Sequence, residues 1–382
     1  MNLAEPLAVY IHWPYCARIC PYCDFNVVRD RGQAEQAALA RAIVRDLEGQ
    51  AALTGPRLLG SIFFGGGTPS LMDPAWAAAM IATARRLWAP EADLEISLEA
   101  NPTDAEAHRF AAFAEAGIAR LSLGVQALDD LALKALGRNH GAAEAIRAAA
   151  LAASIFPRLS IDLIYARPGQ APKAWAAELN AALAFAPEHV SPYQLTIEPR
   201  TAFERAVRRG TLVPPSVDAA ADLYETTQAV LADAGYEAYE VSNHARGAAA
   251  RSRHNLAYWR GWDYVGAGPG AHGRLTLGGV RTATAAARGV GDYVAAVKRT
   301  GVGFAEQEAL APRDVALERL LMGLRTSEGV AFADLAPIGL DQADPRLDGF
   351  ADAGLIQVRA DRLHATLDGR RVLDRLIANL AD

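Results

Sequence analysis

Short apolar runs rich in Val, Ile, Leu and Phe recur through the first half of the chain, and each is followed by a longer stretch with helical spacing. The runs at 8–13, 61–64, 94–98, 119–124, 159–164 and 190–197 are too short for helices and predict strands. Helices are expected at 33–50, 74–88, 104–115, 142–153 and 172–185, several of them beginning near an Asp or Pro suited to a helix N-terminus. Six βα units result. Such alternation predicts an α/β fold with a parallel sheet covered by helices, either doubly wound or curled into a barrel.

Beyond residue 235 the alternation loosens. Gly- and Ala-rich stretches at 243–250 and 266–273 read as loops, and helical periodicity returns near Pro312. The last segment predicts two helices, a hairpin over 355–366 turning at Ala360 and Asp361, and a closing helix, an order resembling a small α+β winged helix. Three units are therefore expected: a core over 1–235, a loop-rich extension over 236–305 and a C-terminal module over 306–382.

Charge decides what that module is for. It carries nine Arg and no Lys against fourteen acids, and the whole chain of 382 residues has a formal charge of −6. A polyanion partner such as nucleic acid is therefore not expected, and the module reads as a cover for the core. No apolar run reaches membrane-spanning length, and the Met1–Tyr10 stretch lacks the basic start and apolar core of a signal peptide. The expected location is the cytoplasm.

In parallel sheets, function collects at the carboxyl ends of the strands. Here those ends carry three cysteines, then Gly65-Gly66-Gly67-Thr68-Pro69, then Glu99-Ala100-Asn101-Pro102, with Gln126, Asp162 and Gln194 on the following three strands. A ring of groups around one small-molecule site is the reading. The chain's only cysteines, Cys16, Cys20 and Cys23, fall within eight residues, which is no disulfide scaffold. Three thiolates on one loop suit a 4Fe-4S cluster with one iron left open. From spacing alone, a structural zinc with His12 as fourth ligand is the alternative.

Tyr10-Ile-His-Trp-Pro-Tyr-Cys16, with Cys20 and Cys23, resembles the radical S-adenosylmethionine superfamily, in the branch containing oxygen-independent coproporphyrinogen III oxidase. GGGTP at 65–69, Ser97-Leu-Glu-Ala-Asn-Pro102, Leu121-Ser-Leu-Gly-Val-Gln126, Gly137-Arg-Asn139 and Ile161-Asp-Leu-Ile-Tyr165 follow in family order. The resemblance implies an incomplete (βα)6 barrel with the small C-terminal module. It also implies a 4Fe-4S cluster on Cys16, Cys20 and Cys23, and S-adenosylmethionine held among Tyr10, Tyr22, Gly66, Gly67, Thr68, Glu99, Gln126, Arg138 and Asp162.

Within that branch the oxidases carry a further cysteine in a Cys-X-Cys arrangement and an N-terminal extension. Here Cys23 is followed by Asp24-Phe25, a form that looks like the HemW group of heme chaperones. Arg251-Ser-Arg253-His254-Asn255-Leu-Ala-Tyr258-Trp259 matches the His-Asn-X-X-Tyr-Trp signature of that group. His254 is then the expected heme ligand, with His244 and His272 as competitors. Asn255, Tyr258 and Trp259 complete the expected heme site, and Arg251 and Arg253 would pair with propionates. A heme-acceptor protein, a reducing partner and a second copy of the chain are the implied partners. The enzymatic alternative is radical decarboxylation of coproporphyrinogen III.

Overall fold

The computed structural model describes residues 5–30 and 32–381; the first four residues of the Met1–Tyr10 stretch lie outside them. Six parallel strands form where the apolar runs predict them: β1 (Leu7–Trp13), β2 (Leu58–Gly66), β3 (Ala89–Ala100), β4 (Arg120–Gln126), β5 (Arg158–Tyr165) and β6 (His189–Gln194). They lie side by side in chain order. Helices Gln33–Thr54, Pro74–Leu87, Ala142–Ile155 and Pro172–Leu183 connect them. This is the incomplete (βα)6 barrel. Two boundaries move: the last strand stops at Gln194 rather than at 197, and the helix expected over 104–115 is broken into Asp104–Ala107 and Phe110–Glu115.

The loop-rich extension is a misreading. It supplies β7 (Glu237–Glu240), β8 (Asn243–Ala245), β9 (Tyr264–Ala267), β10 (His272–Leu277) and β11 (Val280–Ala286), and β12 (Phe304–Ala309) follows. The resulting twelve-stranded order is β12-β11-β10-β9-β1-β2-β3-β4-β5-β6-β8-β7. The strands that join the core are short: β9 gains its ladder from β1 and β8 from β6, and the remaining four pair onto these in turn.

Alternation along the parallel strands sorts the side chains. Val9, Ile11 and Trp13 pack outward with Leu39, Ile43 and Leu47 of the first helix in the main core. Tyr10 and His12 take the opposite, concave face. On that face Ser61, Ser97, Ser122, Ser160 and Ser191 place one small hydroxyl on each of β2 to β6; Ser122 and Ser160 stand directly opposite each other and the other neighbours are offset by two residues. Ser122 lines the strand-end cavity, while Ser61 and Ser160 bond the buried rings of His254 and His189.

The C-terminal segment has a core of its own, built on Leu320, Leu324, Leu335, Leu363 and Leu376. The hairpin Ile356–Arg359 and Arg362–Ala365 turns at Ala360 and Asp361 as expected. Among the described residues no helix is long and apolar enough to cross a membrane.

Candidate functional site

The carboxyl ends of the strands open onto a cavity of about 950 Å³. Cys16, Cys20, Cys23, Tyr22, Gly66, Gly67, Thr68, Glu99, Gln126, Arg138 and Asp162 all line it. Of the residues assigned to S-adenosylmethionine, Tyr10 alone lies elsewhere, on the wall of a neighbouring groove.

The cysteine loop is held by donors aimed at sulfur. Thr68 Oγ1 donates to Cys16 Sγ at 3.6 Å and Arg138 donates to Cys20 Sγ at 3.5 Å. Burial pushes the Cys16 thiol up to about 11, and the neighbouring cysteines add to the shift. Cys23 is raised for the same leading reason. Three thiols crowded into one loop, with hydrogen bonds pointed at two of the sulfurs, are a donor set that a cationic iron–sulfur cluster satisfies. The zinc alternative loses its fourth ligand. His12 Nδ1 accepts from Tyr10 Oη at 3.0 Å, and Nε2 donates to the Asn26 carbonyl at 2.9 Å.

The glycine loop is shaped by its own neighbours. Gly66 has φ +109°, and a Cβ there would stand 2.5 Å from the His12 ring. Its N–H donates to Glu99 Oε2 at 3.1 Å. Burial, and then the Asp162 carboxylate, push Glu99 up to about 8, while the Gly66 N–H opposes the shift. Asp162 accepts from Ser122 at 2.8 Å, and burial raises it as well. Two carboxyl groups kept uncomfortable without a cation suit the amino group and ribose hydroxyls of a nucleoside ligand. Gln126 lies in the left-handed region at φ +65°, where the β4–β5 register shifts, and its buried Oε1 has no partner among the described residues. Strain of this kind gathers at ligand sites. Arg138 is held by Asn101 and by the Gly124 carbonyl. Burial pushes the Tyr22 phenol up beside Cys20 and Arg138.

Asn101, Tyr193, Arg370 and Arg375 also line this cavity and were missed. Asn101 stood inside a quoted motif. The arginines arrive from the C-terminal module, and nothing near them in the chain marks them.

The expected heme residues separate. His254 and Asn255 line neither cavity; His254, the expected ligand, is 1% exposed and both its ring nitrogens are engaged. Nδ1 bonds Ser61 Oγ at 3.1 Å and Nε2 bonds Tyr258 Oη at 2.8 Å, while the ring stacks on Phe63 at 4.8 Å. Burial drives its pKa down to about 3. Asn255 bonds Asn243, so the helix Arg253–Trp259 closes the floor of the partial barrel. Arg251 is committed to Glu237 and Glu328, and Arg253 to Glu91 and Asp93, which leaves neither for propionates. His244 is buried against Gln228.

Tyr258 and Trp259 face a second, larger groove of about 1540 Å³, whose walls include Phe25, Asn26, Tyr264, His272 and Arg288. The two spaces meet at Cys23, Asp24, Phe25, Gly66, Glu99 and Glu198, which line both.

Comparison with known proteins agrees with this geometry. The radical SAM superfamily model matches residues 10–180 and the HemN C-terminal domain model matches residues 310–372. Radical S-adenosyl methionine domain-containing protein 1, mitochondrial, of Bos taurus is 39% identical over 99% of this chain and 88% of its own length. Heme chaperone HemW of Bacillus subtilis is 34% identical over 95% and 96%, and HemW of Escherichia coli is 40% identical over 71% of each chain. Coproporphyrinogen III oxidase (HemN) from Escherichia coli superposes with a TM-score of 0.81 over 98% of this chain and 90% of its own, at 23% identity, and so shares the fold. With strand-end groups and cysteine loop in place and relatives matched along nearly its whole length, the chain belongs to the HemW family of the radical SAM superfamily.

Proposed function

We propose that this protein is a heme chaperone that holds heme beside a radical SAM centre and passes it to an acceptor protein. The carrying observation is that the two spaces meet across the cysteine loop: a polar, strand-end cavity suited to S-adenosylmethionine adjoins a larger groove with aromatic and cationic walls. Cys16, Cys20 and Cys23 would hold a 4Fe-4S cluster, which supplies electrons from a reducing partner when bound. Glu99, Gln126, Arg138 and Asp162 would orient the cofactor, and the glycine loop would let it approach the backbone. Heme would enter the groove rather than the closed floor around His254.

Residues 306–382 act in this reading as a cover module that lends Arg370 and Arg375 to the mouth of the radical cavity. The cytoplasm is the proposed location, which cell fractionation checks. The central experiment is anaerobic reconstitution followed by hemin titration, transfer to an apo-hemoprotein and product analysis with coproporphyrinogen III. Stoichiometric hemin binding and transfer, without protoporphyrinogen formation, are the expected results. A reconstituted chain that binds no hemin, or that turns over coproporphyrinogen efficiently, overturns the proposal.

A further inference from the structure

The groove holds one histidine that the fold leaves unclaimed. Of the eight histidines, His12, His189 and His254 have both ring nitrogens bonded. His140 and His244 are buried, each with one nitrogen bonded. His364 is tied to the Ser327 carbonyl in the C-terminal module. His108 and His272 remain exposed, and of these two His272 lines the groove.

Its position is built, not incidental. His272 opens β10 opposite Ala285 of β11. Along β10, Gly273 and Leu275 are buried while His272 and Arg274 take the other face, toward the groove. The Gly266-Ala-Gly-Pro-Gly270 run, which superficially resembles a dinucleotide fingerprint, has its explanation here. Gly268 sits at φ +109°, and a Cβ on it would stand 2.2 Å from the His12 carbonyl oxygen. Only a residue without a side chain lets this turn lie against β1 and deliver His272 beside the cysteine loop. Asn26 locks the arrangement, donating from Nδ2 to the Pro269 and Arg288 carbonyls at 2.9 and 3.0 Å.

Two further groups on the groove wall fit a planar, anionic iron complex. Phe25 is 61% exposed although it is a large apolar ring. Arg274, Arg281 and Arg319 are paired with Glu318, Asp263 and Asp334, whereas Arg288 has no ion pair among the described residues.

We propose that His272 is the axial ligand through which this groove takes heme iron, with Phe25 facing the macrocycle and Arg288 pairing with a propionate. The assignment rests on the heme-chaperone reading. An imidazole whose ring nitrogens bond no other described group is a strong iron ligand, and an aromatic platform and a guanidinium are the complements of a porphyrin face and its carboxylates.

The test is hemin titration of the full-length chain, with and without the reconstituted cluster, followed by Soret absorption and electron paramagnetic resonance. His272→Ala should lose the Soret and resonance features of imidazole-ligated iron and weaken hemin binding by about thirtyfold, as expected for an anchor contact. It should retain the cluster and its spectral response to S-adenosylmethionine, which reports that the variant is folded. Added imidazole should restore the imidazole-ligated features to His272→Gly, and His364→Ala should match the parent. If the parent binds hemin and His272→Ala gives the same spectrum and affinity, the ligand assignment falls and the chaperone reading stands. If the parent binds no hemin, both fall.

Discussion

Replacing Glu95 by Gln tests whether the Arg253–Trp259 helix is an anchor of the fold. The Glu95 side chain is fully excluded from water at the closed end of the partial barrel. Its Oε2 lies 2.7 Å from Arg158 and 3.4 Å from Arg120, and its Oε1 accepts the N–H groups of Arg253 at 2.9 Å and His254 at 3.4 Å. One carboxylate therefore ties β3, β4 and β5 to the helix that carries His254. Glutamine keeps the volume and one acceptor oxygen but removes the charge. Arg120, 2% exposed, is then left with Glu188 at 3.2 Å and the Ala250 carbonyl at 3.1 Å. Breaking a buried ion pair costs about 3–5 kcal/mol, and because Glu188 remains, the expected loss is near the lower end, about 3 kcal/mol or roughly a hundredfold in the folding equilibrium. Urea unfolding followed by tryptophan fluorescence measures the loss, and hydrogen exchange at the amides of Arg253 and His254 should accelerate. A loss below about 1 kcal/mol, the level of an exposed pair, with unchanged exchange at those amides, would refute the anchor reasoning.

Cys20→Ser should abolish the cluster, so that iron and sulfide after anaerobic reconstitution fall from about four each per chain to near zero; full retention of iron would remove that ligand from the set. Glu99→Gln should weaken the cluster's spectral response to S-adenosylmethionine and change the pH profile of the apo chain. Because the folded carboxyl sits at about 8 against an unfolded value of 4.5, the folded state holds the extra proton between those values, and parental stability falls as pH rises through the window. The Gln variant should equal the parent near pH 4 and exceed it by up to about 5 kcal/mol above pH 8, which pH-resolved denaturation checks; parallel profiles would contradict the assignment. Leu320→Ala, at a fully buried position in the C-terminal core, should destabilise that module by about 2–5 kcal/mol. Calorimetry should show the thermal transition of the module lowered while the cluster content stays at the parental level.

The strand and helix alternation, the strand-end polar groups and the cysteine loop were readable from the chain because each is a local property. Period-two and period-3.6 patterns follow from backbone geometry, and three thiols in one short loop are neighbours by covalent connection. The same locality explains what was misread. Asn243–Ala245 and Tyr264–Ala267 have too few apolar residues to announce strands, yet the edges of β6 and β1 supply their partners. His254 sits in a signature that reads as a ligand, but Ser61, Phe63 and Tyr258, two of them nearly two hundred residues away, occupy its ring. His272 follows a glycine run with no motif pointing to iron, and the packing of that run against His12 puts it on the groove wall. A side chain's type is written in the sequence, but whether its lone pairs are free depends on which distant groups the fold brings against them, and that is decided only when the sheet closes around the floor helix.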